Sequence, residues 1–138
     1  MTHQTTVELQ TSGQRDIHDI TDQVQSAVAE SGVRTGTAHV FNVGSTGCVG
    51  TVEMEPGLRE DLPALLDKIA PASRDYGHER TWHDGNGHSH LQATLMGPSL
   101  TVPISDGRLV LGMWQQVFHL ECDVKPRRRT VVITVNGD

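Results

Sequence analysis

Aromatic side chains are nearly missing from this sequence, which has two Trp, two Phe and one Tyr among 138 residues. The interior must therefore be packed mainly with aliphatic side chains, and Trp114 is expected in the core. Cysteine is scarce too. Cys48 and Cys122 form neither a CxxC pair nor a dense disulfide framework, which predicts free thiols in a reducing compartment. No apolar run approaches membrane-spanning length, and the opening MTHQTTVELQ lacks the basic start and apolar stretch of a secretion signal. The expectation is a cytoplasmic protein without a membrane partner. Positive charge is in the minority, with 11 Lys and Arg against 17 Asp and Glu and a net charge of -6. That balance argues against a nucleic-acid partner, because a phosphate backbone needs a positive footprint. With no repeats or low-complexity linkers, residues 1–138 read as a single domain.

Hydrophobic spacing supplies the elements. Residues 5–10 alternate as a strand, and Ile17, Ile20, Val24 and Val28 recur at helical spacing with Thr21 as N-cap and Gly32 as stop. Residues 37–43 and 47–54 read as strands around the Gly44-Ser45-Thr46-Gly47 turn. Leu58, Leu62, Leu65, Leu66 and Ile69 form a core-facing helical stripe over 58–70, with Pro63 expected in its first turn. Residues 73–86 read as a polar loop, and 88–96 as a short helix. Strands are expected at 100–104, 108–122 (long, bent near Gly112) and 129–136, with Asp106-Gly107 as a tight turn. Strands with segregated helices mean an α+β fold with mostly antiparallel pairing and two to three helices.

Eight histidines stand out in so small a chain. His88 and His90 form a His-x-His step, a metal signature on a strand; on a helix the two lie about 200° apart and cannot share a site. The small neighbours Ala93 and Thr94 favour His90 as the inward one. His78 adds a second imidazole from the preceding loop. With one further group, His78 and His90 reach the three protein ligands of a catalytic zinc site. A capping or solvated role for these imidazoles is the plain alternative. His83 reads as solvated, and His3, His18 and His39 receive no role.

Glu53 follows a strand and is a candidate base or orienting carboxylate. Glu121 and Asp123 share one strand face and read as solvated strand-end carboxylates, or as groups that orient an imidazole or act as a base. Gln115, next to Trp114 in mid-strand, carries an amide that needs a partner, which a ligand would supply. The Gly44–Gly47 turn offers backbone N–H groups and the Ser45 and Thr46 hydroxyls to an anion, or is a plain hairpin turn. Arg127, Arg128 and Arg129 either bind phosphate or blunt an edge strand, with edge protection expected for at least two of them.

Taken in order, these segments resemble the YjbQ family, also called UPF0047 and labelled secondary thiamine-phosphate synthase. The resemblance covers about residues 5–136. It rests on VFNVGSTGCVGTVEMEPGLREDL from Val40, Tyr76-x-His78, NGHSHLQATLMGPSLTVPI from Asn86, GRLVLGMWQQ from Gly107 and ECDVKPRRR from Glu121. It implies two packed β-sheets, a homotrimer and a polar pocket centred on His90. Two functions follow as expectations. The first is an enzyme-like pocket with weak thiamine-phosphate synthase activity, joining hydroxymethylpyrimidine diphosphate to thiazole phosphate. In it His90, Glu53 and Gln115 act on substrate, His78 and His90 hold a divalent metal (zinc or magnesium), and Ser45, Thr46 and Arg127 hold phosphate. The second is a non-enzymatic trimer that captures a small phosphorylated metabolite. Gly44 stands where many members carry His, Val52 where they carry Asn, and Met113 where Thr is common. An imidazole-dependent mechanism at position 44 is thus unavailable here.

Overall fold

Strict alternation of exposed and half-buried residues runs through Thr2–Gln10, as a strand with one solvated face requires. This is β1 of the computed structural model, which describes residues 1–13 and 15–138. After it come β2 (Ile17–Asp19), α1 (Thr21–Ser31), β3 (Gly36–Val43), β4 (Gly47–Val52) and α2 (Pro56–Ile69). The chain continues through α3 (Gly77–Trp82), α4 (Gly87–Met96), β5 (Ser99–Ser105) and β6 (Arg108–Leu109). It closes with β7 (Gln116–Glu121) and β8 (Arg128–Gly137). A five-stranded sheet has the order β1-β8-β3-β5-β6 and a three-stranded sheet the order β2-β7-β4. Every pairing is antiparallel, so the α+β expectation with two sheets holds. Helices number four among the described residues, because Gly77–Trp82 lies inside the stretch read as loop.

The small sheet is the organiser. Its central strand β7 is buried on both faces. Val117 joins the aliphatic core formed with α1 and the large sheet, alongside Val24, Val40, Ile133 and Val135. Phe118, Leu120 and Cys122 face the other way, against Leu66 of α2 and Ala93 of α4. Phe118 is the aromatic that does serve the core. Trp82 and Trp114 do not, each being 68% exposed.

Several sequence expectations are corrected. Ile17 belongs to β2, and Ile20 rather than Thr21 is the N-cap of α1. Asp19 accepts from the Thr21 N–H at 3.0 Å, while the Thr21 hydroxyl accepts from Val117 N at 2.9 Å and ties the helix to β7. Gly32 ends α1 at φ 74°, as expected of a left-handed stop. The long strand over 108–122 does not exist: β6 ends at Leu109 in the large sheet, and the chain turns before entering the small one as β7. Gly112 and Gln115 make that turn, with Gly112 N–H donating to the Gln115 side chain at 3.0 Å.

Helix α2 starts earlier than its leucine spacing indicates. Glu55 caps it, accepting from Leu58 N at 2.6 Å and Gly57 N at 2.8 Å, and Pro56 takes the favourable first position. Pro63 therefore sits inside the helix, without the N–H that would reach the Arg59 carbonyl. Only part of the leucine stripe is core: Leu66 is buried, but Leu65 and Ile69 are exposed. Pro63→Ala is expected to raise stability by about 2 kcal/mol, the helix-interior penalty less the gain in unfolded-chain freedom. Urea unfolding of the two chains checks this, and an unchanged midpoint would mean that α2 has already absorbed the proline.

Candidate functional site

Where β7 ends, the two carboxylates read as solvated are fully buried. Each has an arginine. Arg129 donates through Nε to Glu121 at 2.8 Å, makes a second bond through Nη2 to the other carboxylate oxygen, and reaches Thr46 Oγ1 at 2.8 Å. Arg127 donates to Asp123 from Nε at 2.8 Å and from Nη2 at 2.7 Å. Edge protection is thereby overturned for these two, since β8 is paired on both sides by β1 and β3. Arg128 alone lies on the surface, against Glu8 of β1.

Above the pairs lies a hollow of about 480 Å³. It is lined by the Gly44-Ser45-Thr46 turn and by Arg127 and Arg129. The lining is completed by His78 and Trp82 from α3, Asp84 and Asn86 from the connecting loop, and His90 from α4. The glycines explain how these parts meet. Gly44 has φ 142°, and a Cβ there would stand 2.8 Å from Arg129 Nη1. A Cβ on Gly87 would stand 2.8 Å from Tyr76 Cβ, so this glycine lets α3 and α4 approach each other.

Asp123 is the pivot. Burial alone would raise its carboxyl, but hydrogen bonds from Val124 N–H, Thr46, Arg127 and Asn86 outweigh that and hold it below the ordinary value. The arrangement puts the carboxylates behind and the guanidinium groups in front. Arg127 remains about one-third exposed, whereas Asp123 is inaccessible. Asn86 Oδ1 is buried without a hydrogen-bond partner.

The imidazoles of His78 and His90 are in contact, with ring centroids 4.3 Å apart. His78 Nε2 lies 3.3 Å from Asp84. Burial first, and the neighbouring His78 second, hold His90 below the ordinary histidine value, so it is neutral at pH 7. His88 turns the other way, into the protein, and is 4% exposed. His90 is the one of the two that lines the hollow, and His88 is the more deeply buried. Small residues on the buried face of α4 (Gly87, Ser89 and Ala93) let that face approach the sheet, while Leu91 and Leu95 are exposed. The separation of the two imidazoles onto different faces follows the helical geometry.

Of the sequence candidates, the structure brings together Ser45, Thr46, His78, His90 and Arg127. It does not bring Glu53 and Gln115 to them. Those two line another surface hollow with Trp114, and the Gln115 amide donates to Thr51 Oγ1 at 3.1 Å. Trp82, Asp84, Asn86 and Arg129 are additions. Asn86 had a visible signal, since an Asn-Gly step opens α4. Among the described residues no three His, Cys, Asp or Glu side chains form a metal-holding group. Two imidazoles alone do not fit a catalytic zinc centre, which needs three protein ligands.

One family pattern, described as UPF0047 protein YjbQ-like, matches residues 5–138. The chain belongs to this family. A UPF0047 protein of Methanothermobacter thermautotrophicus is 38% identical over 129 residues, spanning 94% of this chain and 88% of that one. One from Archaeoglobus fulgidus is 39% identical over 125 residues, spanning 91% and 94%. Among solved structures, a YbjQ-like protein of unknown function from Sulfolobus solfataricus superposes with a TM-score of 0.94 at 31% identity, covering 100% of this chain and 99% of that one. As a UPF0047 member the chain has a fold held across archaeal and bacterial relatives. No helix among its described residues is long and apolar enough to cross a membrane.

Proposed function

We propose that this UPF0047 chain binds a small phosphorylated metabolite in the hollow between Gly44–Thr46, Arg127 and the His78–His90 pair. The observation that carries the reading is the layering of charge. Two buried carboxylates fix two arginines in place, so on that side a ligand entering the hollow meets guanidinium N–H groups rather than Glu121 and Asp123. The one carboxylate among the described lining residues, Asp84, stands beside His78. Ser45 adds a hydroxyl from the turn, the Thr46 hydroxyl holds Arg129 and Asp123 in place, and neutral His90 adds a donor or acceptor. Asn86 borders the same hollow, its Nδ2 donating to Asp123 and its buried Oδ1 lacking a partner.

Phosphate capture is preferred to a thiamine-phosphate synthase step. Departure of diphosphate from carbon needs strong charge stabilisation. Of the three residues expected to act on substrate, only His90 lines the hollow. Cytoplasmic residence is part of the same proposal.

Thermal shift with a panel of phosphorylated metabolites tests the reading. A ligand at a hundred times its dissociation constant stabilises the fold by about 2.7 kcal/mol. Arg127→Ala is expected to weaken binding roughly tenfold to a hundredfold, the worth of one charge-assisted hydrogen-bonding group. His90→Ala is expected to weaken it less, because a neutral imidazole makes a weaker bond to an anion. Product formation by the wild type with no loss in His90→Ala would favour other chemistry.

We also propose a homotrimer. The exposed apolar side chains Leu91, Leu95, Met113 and Trp114 are unusual on a small monomer and suit burial between copies. Sedimentation equilibrium giving a monomer at micromolar concentration would reject this.

A further inference from the structure

Cys48 lies on β4 and Cys122 immediately follows β7, and neither thiol is accessible. In the register of the two strands Cys48 opposes Leu120, so Cys122 is its diagonal neighbour on the same face. Their Sγ atoms are 3.9 Å apart. Two thiols in a purely apolar shell are inert small hydrophobes. Here the shell is not purely apolar. The Arg15 guanidinium comes close enough to favour the thiolate of both, and it is anchored by an ion pair with Asp67. Its Nε and Nη2 are buried without hydrogen-bond partners. A nearby cation favours the thiolate while burial opposes it, so an oxidant reaches the pair through local opening of the fold. The hydrogen bond between the sulfurs divides their acidity, lowering Cys122 and raising Cys48.

We infer that Cys48 and Cys122 are a redox site that closes into a reversible disulfide in the folded chain, with a hydroperoxide as oxidant. The Cys122 thiolate attacks the terminal oxygen of the hydroperoxide, breaking the O–O bond. This gives a sulfenic acid and, after proton uptake, an alcohol or water. Cys48 then loses its proton and its sulfur attacks Cys122 sulfur, expelling hydroxide that leaves as water. In sum, two thiols lose two protons and two electrons, and the hydroperoxide is reduced to alcohol and water. An external dithiol reverses the bond by exchange. Closure shortens the sulfur separation from 3.9 Å to about 2.05 Å. Because diagonal neighbours stand about 7–8 Å apart, beyond the usual disulfide span, the two strands must draw together. The bond is therefore strained and readily reduced, as a switching disulfide must be.

The site also reaches the hollow. Thr46 lies two residues before Cys48, Asp123 directly follows Cys122, and the Thr46 hydroxyl donates to Asp123 at 2.9 Å. Drawing the sulfurs together displaces the backbone on which both stand, so oxidation weakens phosphate binding. This second half rests on the phosphate reading; the first does not.

The test treats the folded full chain with excess hydrogen peroxide, then unfolds and alkylates it for intact-mass analysis. The expected product has lost two hydrogens, resists alkylation at both cysteines, and reverts with dithiothreitol. Arg15→Met is expected to slow its formation on the order of tenfold, because Cys122 loses a cation that favours its thiolate. Cys48→Ser is expected to stop at a sulfenic acid on Cys122, trapped by dimedone. Two thiols still fully alkylatable after peroxide treatment of the wild type would overturn the inference, whatever the variants do. For the coupling, reduced and oxidised chains are titrated with inorganic pyrophosphate. Binding at least about threefold weaker in the oxidised chain supports it, and equal affinity overturns it. If the reduced chain binds no pyrophosphate, the coupling falls with the phosphate reading, while the thiol result still decides the redox site.

Discussion

Arg129→Ala is expected to destabilise the fold by about 3–5 kcal/mol, the largest effect of any single charge removal in this protein. Glu121 is wholly inaccessible, and both its oxygens lean on Arg129. Without the guanidinium the carboxylate keeps only the Thr11 hydroxyl at 2.7 Å and the Asp123 N–H at 2.9 Å. Two neutral donors do not replace a bidentate cation in a dry interior. Thr46 also loses its Arg129 contact, so the damage extends to the lining of the hollow. Lysine is a poor substitute, because its point charge cannot span both oxygens and the threonine. A double replacement, Arg129→Met with Glu121→Leu, is expected to recover most of the loss, since neither charge is then left alone. Denaturant unfolding of the single and double variants checks this. A cost below about 1 kcal/mol for Arg129→Ala would show that water or a shifted side chain satisfies Glu121.

Acid is expected to remove about 3 kcal/mol through one residue, His119. It faces the large sheet from β7 and is fully buried. Its Nε2 lies 2.9 Å from Asn42 Oδ1, an acceptor, so Nε2 carries the proton and Nδ1 is bare. Nδ1 is buried without a partner. Protonating it places a charge between two sheets, and burial lowers the group from 6.5 to about 4 despite the nearby Glu121 carboxylate. The sign follows from linkage. Between those values the unfolded chain binds the proton and the folded chain does not, so stability falls as pH drops from 6.5 towards 4. At 1.36 kcal/mol per unit the loss is about 3 kcal/mol, nearly complete at pH 4. Asp16 and Asp123 act in a lower window. Both carboxyls are held below 3.8 in the folded chain, so their contribution is present above that value and disappears beneath it. Urea midpoints measured from pH 7 to pH 4 should slope downwards in the wild type and far less in His119→Gln. Parallel slopes in the two chains would move the acid sensitivity elsewhere.

What the sequence could disclose follows from the range of the forces involved. Periodicity located β1, α1, α4, β5 and β8 closely, because each has one face against the core and repeats that fact every two or four residues. It failed over 108–122. There β6 and β7 are both strand-like but belong to different sheets, and only the intervening turn separates them. That error carried Trp114 into the core and Gln115 towards the site, when both lie on the exposed turn. The carboxylates Glu121 and Asp123 were misread for a related reason. Strand-end acids are solvated unless another strand brings cations to them, and pairing across β7 and β8 is invisible to local spacing. Sequence proximity did serve for His78 and His90, which two short neighbouring helices bring into ring contact. Which of His88 and His90 is the more buried depends on which side of α4 the sheet occupies, and spacing alone does not show that.

The central claim is that the hollow over Asp123 recognises phosphate through the front face of Arg127. The most direct measurement is calorimetric titration of the reduced wild type and Arg127→Ala with inorganic pyrophosphate at low ionic strength. The account predicts saturable binding to the wild type and a loss of roughly tenfold or more in the variant, with both chains folded. Equal affinity in the two, or no heat in either, would contradict it.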